Sequence, residues 1–206
     1  MPGGYCIDST EVTRDQYAAW LATNPATDGQ VVYCWWNDDY TPMCEWPPGI
    51  DGNYPVVCVD WCDAYAYCAG VGKRLCGRIG GGSNWFTDYA DATRSQWFSV
   101  CSSGGLNEFT YGNEYLPETC NGYNAQQPFV PVGTMQGCSS PVPGYEGVND
   151  LVGNVSEWED SCDKGNGFCR LRGGASGYGV GKCGEETSIY RNNKWDKGGF
   201  RCCADL

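Results

Sequence analysis

Residues 199–206, with the sequence GFRCCADL, place the strongest single constraint on how this chain folds. They set Cys202 beside Cys203 in a sequence of 206 residues that has 15 cysteines and no histidine. Neighbouring side chains of a strand point to opposite faces of a sheet. The pair therefore predicts two separate disulfides rather than one shared metal or one reactive site. Cys202 is expected to face inward, and Cys203 to face a partner near the N-terminal strand, with Cys6 as the candidate.

The cysteine content indicates where such a chain can fold. Fifteen cysteines in 206 residues are typical of proteins from an oxidising compartment, so we expect an exported protein, secreted or at the cell surface. Residues 1–10 contain no basic, apolar leader, and Met1 is expected to begin a trimmed or mature form. No Cys-x-x-Cys occurs, which removes the zinc-ribbon and thioredoxin signatures. The odd count leaves at least one thiol without a partner in this chain.

Charge and composition exclude several classes of partner. The 13 basic and 25 acidic residues give a net charge of -12, which repels phosphate backbones and anionic membranes. No segment approaches the roughly 20 apolar residues of a membrane span, so membrane insertion is not expected. Cations and neutral polar ligands remain. The 30 glycines, 9 tryptophans and 14 tyrosines indicate a loop-rich domain with large aromatic anchors rather than a disordered chain.

Apolar periodicity predicts three helices, within residues 10–25, 59–76 and 91–105. The first has the capping-box spacing at Thr13 and Gln16. The second is expected to begin after Asp60 as its N-cap, and the third carries an inward apolar stripe that ends before two glycines.

From about residue 102 the helical periodicity gives way to short apolar pieces between Gly, Asn, Pro and Ser. Residues 129–133, 169–176 and 199–203 are predicted as short strands in a loop-dominated half. No repeat, low-complexity linker or charged boundary divides the chain. We therefore expect one α+β domain over residues 1–206, with few helices, a small mixed sheet and high loop content.

Four ordered motifs resemble a known family. They are CIDSTEVTRDQYAAWL (6–21), PVVCVDWCDAYAYCAGVGKRLC (55–76), DLVGNVSEWEDSC (150–162), and RLRGGAS (170–176) followed by GFRCCADL (199–206). Together they are similar to the formylglycine-generating enzyme, or sulfatase-modifying factor, family, and they span nearly the whole chain. The resemblance implies a C-type-lectin-like fold whose long loops are held by calcium and disulfides.

The resemblance also shows where catalytic groups would lie. The family oxidises a cysteine of a sulfatase to formylglycine with two copper-binding cysteines on the segment after its RGGS motif. Here that segment contains Cys183 alone and keeps only Tyr190 and Arg191 of the surrounding Tyr and Arg residues. A thiolate copper site needs two cysteines, so we expect this activity to be absent, with Cys183 catalytic only if the enzyme hypothesis holds. The lack of histidine excludes the family's iron-dependent branch and hydrolases with a histidine base.

The resemblance further implies a structural calcium site. The matching loop offers a side-chain oxygen, two backbone carbonyls and a glutamate. Position by position, these are Asp150, Gly153, Val155 and Glu157. Hard oxygen ligands and a glycine turn suit calcium, although the two acids could instead cap turns on a solvated loop. A second calcium loop would begin at Asn121 and Gly122, without a clear downstream acid.

The remaining cysteines are expected to form disulfides. The resemblance implies Cys68 with Cys202 and Cys101 with Cys183, and the second bond would make Cys183 structural. Closeness in sequence suggests three short loops, Cys34 with Cys44, Cys120 with Cys138, and Cys162 with Cys169. Five cysteines stay unassigned: Cys6, Cys58, Cys62, Cys76 and Cys203.

The favoured hypothesis is an exported, disulfide- and calcium-stabilised binding module without catalysis, whose ligand is a protein, a carbohydrate or its own copies. The first alternative is a copper-dependent oxidoreductase that converts a sulfatase cysteine to formylglycine. The second is a self-assembling extracellular structural subunit, suggested by the unpaired cysteine and the aromatic-rich, weakly charged composition.

Overall fold

The computed structural model describes residues 1–123, 129–179 and 181–206. Within these ranges the helices are α1 (Arg14–Leu21), α2 (Trp61–Gly70) and α3 (Gln96–Cys101), with single 3₁₀ turns at Val32–Cys34 and Phe86–Asp88. The strands are β1 (Tyr5–Ile7), β2 (Arg74–Leu75), β3 (Ser156–Cys162), β4 (Phe168–Arg172), β5 (Thr187–Tyr190), β6 (Gly198–Phe200) and β7 (Cys202–Asp205). These short elements joined by long loops confirm the predicted α+β class.

Local capping explains where the two longer helices begin. At α1 the Thr13 hydroxyl accepts from the Gln16 amide at 3.2 Å, and the Gln16 side chain accepts from the Thr13 amide at 2.9 Å. At α2 Asp60 and Asp63 form the same reciprocal pair, at 3.0 and 3.1 Å. Each box satisfies backbone donors that a helix terminus leaves unpaired. The predicted starts of both helices are therefore confirmed.

The strands form two sheets rather than the one small mixed sheet expected. One is antiparallel, in the order β1-β7-β2, and the other runs β5-β4-β3-β6 with β3 and β6 parallel. GFRCC crosses from one sheet to the other, because Phe200 ends β6 and Cys202 begins β7. Arg201, between them, is completely buried.

Residues 129–133 do not form the predicted strand. The Val130 amide donates to the Asn154 side chain at 3.0 Å, and the Val132 amide donates to the Asn53 carbonyl at 3.0 Å. Pro131 lies between them and has no amide hydrogen. Since a proline cannot donate to a strand ladder, these backbone groups find isolated partners in loops.

The interior is divided into two main apolar clusters. The first packs α1 against α2 through Tyr17 and Tyr67, whose rings stack 5.4 Å apart, and Phe200 closes it from the sheet side. The second surrounds Trp97 of α3. Cys202 lies in the first cluster and Cys203 in the second. Adjacent side chains of β7 therefore face opposite sides, as predicted for two separate disulfides.

Seven disulfides use fourteen of the fifteen cysteines, all of which lie in the described ranges. Four match the expected pairs: Cys68–Cys202, Cys101–Cys183, Cys120–Cys138 and Cys162–Cys169. The other three are Cys34–Cys62, Cys44–Cys58 and Cys76–Cys203. Cys6 is free and exposed.

The predicted Cys34–Cys44 bond is wrong. The 3₁₀ turn that ends at Cys34 folds onto the start of α2, where the Asn37 amide donates to the Asp63 carboxylate at 2.9 Å. This contact brings the Cα atom of Cys34 within 5.8 Å of that of Cys62. Closeness in sequence was misleading because the loop packs against a helix rather than closing on itself.

The suggested partner of Cys203 is also wrong. In the antiparallel ladder Cys6 lies opposite Ala204, whereas Cys203 lies opposite Ile7 and Arg74. Directly opposed residues share one face and successive residues alternate. Cys6 and Cys203 therefore point to opposite faces, and Cys203 bonds to Cys76, which directly follows β2.

Candidate functional site

Cys183, the one cysteine in the segment that would carry catalysis, is a structural residue. Its sulfur is bonded to Cys101 at the end of α3, and the residue is 1% exposed. Its carbonyl accepts from the Arg172 guanidinium at 2.7 Å, which fixes the backbone at this point. A thiol in a buried disulfide is neither a nucleophile nor a metal ligand.

Tyr190 and Arg191 do not gather around Cys183. The Tyr190 ring packs against Phe168 at the start of β4, with ring centroids 4.1 Å apart, whereas Cys183 contacts Arg172 at the end of that strand. A five-residue strand separates its two ends by about 13 Å. The structure therefore separates the few family-like side chains that the sequence retains.

Glu157, predicted as a calcium ligand, is held by a buried cation from the chain itself. Both of its carboxylate oxygens accept from the Arg201 guanidinium, at 2.7 to 3.0 Å, and the Trp97 indole donates to one of them at 2.8 Å. Both partners are buried. Although burial opposes its charge, Glu157 beside it raises the pKa of Arg201 above the usual value. In this arrangement Glu157 has no oxygen left for calcium, and it does not fit the predicted ligand set.

Asp150 lies in a different environment from Glu157. One of its oxygens accepts from the Gly133 amide at 2.6 Å, and the buried carboxyl group of Glu11 lies beside it. Burial is the main cause that raises the pKa of both acids; the charge of Asp150 raises the pKa of Glu11 further, whereas the Glu11 side chain lowers the pKa of Asp150. Glu11 accepts from the Asn154 side chain at 2.9 Å, but its second oxygen has no partner among the described residues. A cation beside Asp150 would satisfy this acidic pair.

The two predicted calcium loops pack against each other. The Asn121 carbonyl accepts from the Asn154 amide at 2.7 Å, and a Cβ atom on Gly153 would lie 2.7 Å from that carbonyl. Gly153 has a φ of 79°, so both its conformation and its surroundings require glycine. Over residues 1–123, 129–179 and 181–206, no group of three or more His, Cys, Asp or Glu side chains is arranged to hold a metal. Asn121 and Gly122 thus lie directly against the first loop, and calcium binding by them stays a prediction.

Two features of the structure have no counterpart among the sequence motifs. One is Glu11, whose burial cannot be inferred from its place before the Thr13 cap. The other is a cavity of about 370 Å³ beside the β3–β4 hairpin, lined by Trp85, Asp160 and Arg191 among others. Its side chains come from five separated segments, so no local motif identifies it.

Fold and site together define a class: a formylglycine-generating-enzyme-like α+β domain whose one cysteine in the would-be catalytic segment is closed in a disulfide. The family model described as "Sulfatase-modifying factor enzyme 1-like domain" matches residues 2–206. The chain belongs to this family.

Similar proteins include both active and inactive members. The chain is 31% identical over 140 residues to the "Formylglycine-generating enzyme" of Mus musculus, covering 60% of this chain and 33% of that protein. It is 30% identical over 154 residues to the "Inactive C-alpha-formylglycine-generating enzyme 2" of Bos taurus, covering 67% and 45%. The chain therefore spans between a third and a half of these two relatives.

The fold is also similar to that of PvdO from Pseudomonas aeruginosa. The TM-score is 0.68 at 22% identity, covering 98% of this chain and 80% of that one. This likeness establishes the shared fold. In the described part of the chain, no helix has the length and apolar character needed to cross a membrane.

Proposed function

We propose that this chain is an exported binding module on a formylglycine-generating-enzyme-like scaffold, without formylglycine-generating activity. The observation that carries the proposal is the Cys101–Cys183 disulfide, which takes up the one cysteine of the segment that holds the family's catalytic pair. Copper chemistry of that kind needs two thiolates within reach of one ion. Cys6, the one free thiol, belongs to β1 of the other sheet and cannot complete such a site.

Two further observations support the proposal. One related protein carries "Inactive" in its name, which gives a precedent for a family member without catalysis. Seven disulfides in a chain with two separate apolar clusters are suited to an oxidising compartment, which supports export. We extend the proposal to residues 1–206 as one domain, because Cys68–Cys202 and Cys76–Cys203 tie the middle of the chain to its end.

An activity assay with a matched control tests the proposal. The unreduced protein, preloaded with Cu(I), is incubated with oxygen and a sulfatase-type peptide that contains one cysteine, beside an active formylglycine-generating enzyme. Mass spectrometry of the peptide is expected to show formylglycine with the active enzyme alone. Formylglycine formed by this chain, and lost in a Cys183→Ala variant, would overturn the non-catalytic proposal and favour the copper-dependent alternative.

Self-assembly is the second candidate function, and one observation favours it. Cys6 is exposed on β1, which lies at the edge of its sheet. Edge strands and free thiols both provide routes to association between copies. The experiment that tests it compares the oligomeric state of the unmodified protein with that of a Cys6→Ser variant.

A further inference from the structure

The cavity beside the β3–β4 hairpin lies away from the segment that would carry catalysis. Cys183 and Arg172 mark the end of β4, whereas the cavity is built around the hairpin residues that precede that strand and around Arg191, which follows β5. Because β4 and β5 are antiparallel, the start of one adjoins the end of the other. A ligand in this cavity would therefore occupy the opposite end of the sheet.

Unpaired positive charge is concentrated at this cavity. Nine of the chain's 13 Lys and Arg residues form salt bridges in the described structure. The four that do not are Arg78, Lys164, Arg191 and Lys197, and the first three of these line the cavity. In a chain with a net charge of -12, three cations left without carboxylate partners at one site favour an anionic ligand.

The two acids of the cavity offset part of this charge without pairing with the cations, and the three cations still outnumber the two carboxylates. The Asp163 carboxylate accepts hydrogen bonds within its own turn, from the Gly165 amide at 3.0 Å and the Asn166 side chain at 2.9 Å. Asp160 is 7% exposed, and burial raises its pKa to about 6. Neither acid forms a salt bridge with Arg78, Lys164 or Arg191, so the cations remain available.

Exposed aromatic rings stand beside two of the cations. Trp85 is 56% exposed with the Lys164 ammonium 5.0 Å from its ring centroid, and Tyr33 is 52% exposed with the Arg191 guanidinium 4.9 Å from its centroid. An aromatic face packs against the C–H face of a sugar ring, and the adjacent cation can meet an acidic substituent. The side chains of Ser83, Asn84 and Thr87, which also line the cavity, can pair with hydroxyl groups.

We propose that this cavity binds a saccharide that carries carboxylate groups. Rings for stacking, cations without salt-bridge partners for the carboxylate and short polar side chains for hydroxyls occur together here, in a volume of about 370 Å³ that falls within the range of small-ligand sites. An acidic peptide would also meet the cations, but peptide binding commonly uses a strand edge or an extended groove. The inference rests on the proposed binding function and names its ligand class.

Calorimetric titration of the full chain with trigalacturonic acid tests the inference, with its methyl ester as the probe that keeps the rings and removes the charge. The acid is expected to bind at least about tenfold more tightly than the ester, because the ester loses the charge-assisted hydrogen bonds to the cations. Lys164→Gln and Arg191→Gln should each weaken binding of the acid about tenfold. Lys73→Gln removes the same charge from an exposed pair outside the cavity and should leave binding unchanged.

Three results would overturn the inference. They are no binding of trigalacturonic acid by the folded chain, equal binding of acid and ester, and a glutamate-rich peptide that binds more tightly than the saccharide and loses affinity in the same variants. Circular dichroism of each variant establishes that it is folded. Formylglycine formation, in contrast, would refute the proposed function and leave the cavity result standing, so the two failures are distinguishable.

Discussion

At the scale of single residues, Asp160 shows how a buried acid couples pH to stability. It lies in β3 beneath the cavity and is 7% exposed. Desolvation raises its pKa from the usual 3.8 to about 6, because the hydrogen bond from Ser83 only partly offsets burial. The folded state therefore binds this proton more tightly than the unfolded state does. The cost of ionising Asp160 is absent below about pH 4, grows up to about pH 6 and is constant above that.

We predict that Asp160→Asn stabilises the protein at neutral pH and not in acid. Asparagine keeps the shape of the neutral carboxyl group and never ionises. The free energy of unfolding should exceed that of the unmodified protein by up to about 3 kcal/mol at pH 7.5, and by little at pH 4. Urea unfolding of both proteins at the two pH values measures this. An equal difference at both values would show that ionisation is not the cause.

The calcium prediction is best tested at Asp150, because the Glu157 carboxylate already accepts hydrogen bonds from Arg201. If calcium satisfies the buried Asp150–Glu11 pair, a chelator should lower the melting temperature. A ligand at a hundred times its Kd stabilises by about 2.7 kcal/mol, or several degrees for a chain of this size. We expect EGTA to lower the melting temperature of the unmodified protein and of Asp39→Asn, an exposed control, but not that of Asp150→Asn. If EGTA leaves the melting temperature of the unmodified protein unchanged, and titration with calcium gives no heat, there is no calcium site at Asp150.

At the scale of elements, several disulfides join helices and strands that lie far apart in sequence. Cys68–Cys202 joins α2 to β7 across 134 positions of sequence, whereas Cys162–Cys169 closes a hairpin across 7. A cross-link restricts the unfolded chain more when it closes a longer loop. Cys76–Cys203 links the same two parts of the chain as Cys68–Cys202, so each of these two long-range bonds closes only a short loop while the other is intact.

We predict similar losses when Cys68–Cys202 and Cys162–Cys169 are removed one at a time. Chain-entropy arguments give about 2.4 kcal/mol for the Cys162→Ala, Cys169→Ala double variant, and about as much for the Cys68→Ala, Cys202→Ala double variant, because the Cys76–Cys203 bond that remains leaves a loop of roughly ten residues. Denaturant unfolding of the two variants side by side measures the difference, with the hairpin variant as the matched control. A loss from Cys68–Cys202 that exceeds the hairpin value by several kcal/mol would indicate that native-state packing, and not loop length, governs its contribution.

The helices and strands differ in how much of their structure nearby residues determine. The starts of α1 and α2 were predictable because Thr13 with Gln16, and Asp60 with Asp63, satisfy helix amides within one turn. The strand pairing of GFRCC was not predictable, because its first residues pair with β3 and its last residues pair with β1, and both strands lie far away in sequence. A strand's partner is a tertiary property that its own residues do not encode alone.

Disulfides and sites follow the same division. Cys120–Cys138 and Cys162–Cys169 close short loops and were predictable from closeness in sequence, whereas Cys34–Cys62 depends on a loop packing against α2. That Cys183 is the one cysteine of its segment could be read from the sequence, and its bond to Cys101 was expected from the family resemblance. The cavity could not, because Arg78, Lys164 and Arg191 converge from distant parts of the chain.

At the scale of the whole molecule, the free thiol of Cys6 means that a disulfide-linked dimer has to be distinguished from non-covalent assembly. Cys6 is exposed on β1, at the edge of the antiparallel sheet, and fourteen other cysteines are bonded. Two copies can therefore join through Cys6 when no reductant is present. Such a link would need no complementary surface, so it says nothing by itself about a structural role.

We predict that the unmodified protein forms a covalent dimer at high concentration in air, and that Cys6→Ser remains monomeric with an unchanged melting temperature. Non-reducing electrophoresis detects the dimer, and light scattering after size-exclusion chromatography gives the mass of the native species. Serine at this exposed position keeps the β1–β7 ladder, since the Cys6 side chain forms no disulfide. If Cys6→Ser still assembles, and does so more at higher protein concentration, a non-covalent interface must exist and the structural-subunit alternative gains over a monomeric binding module.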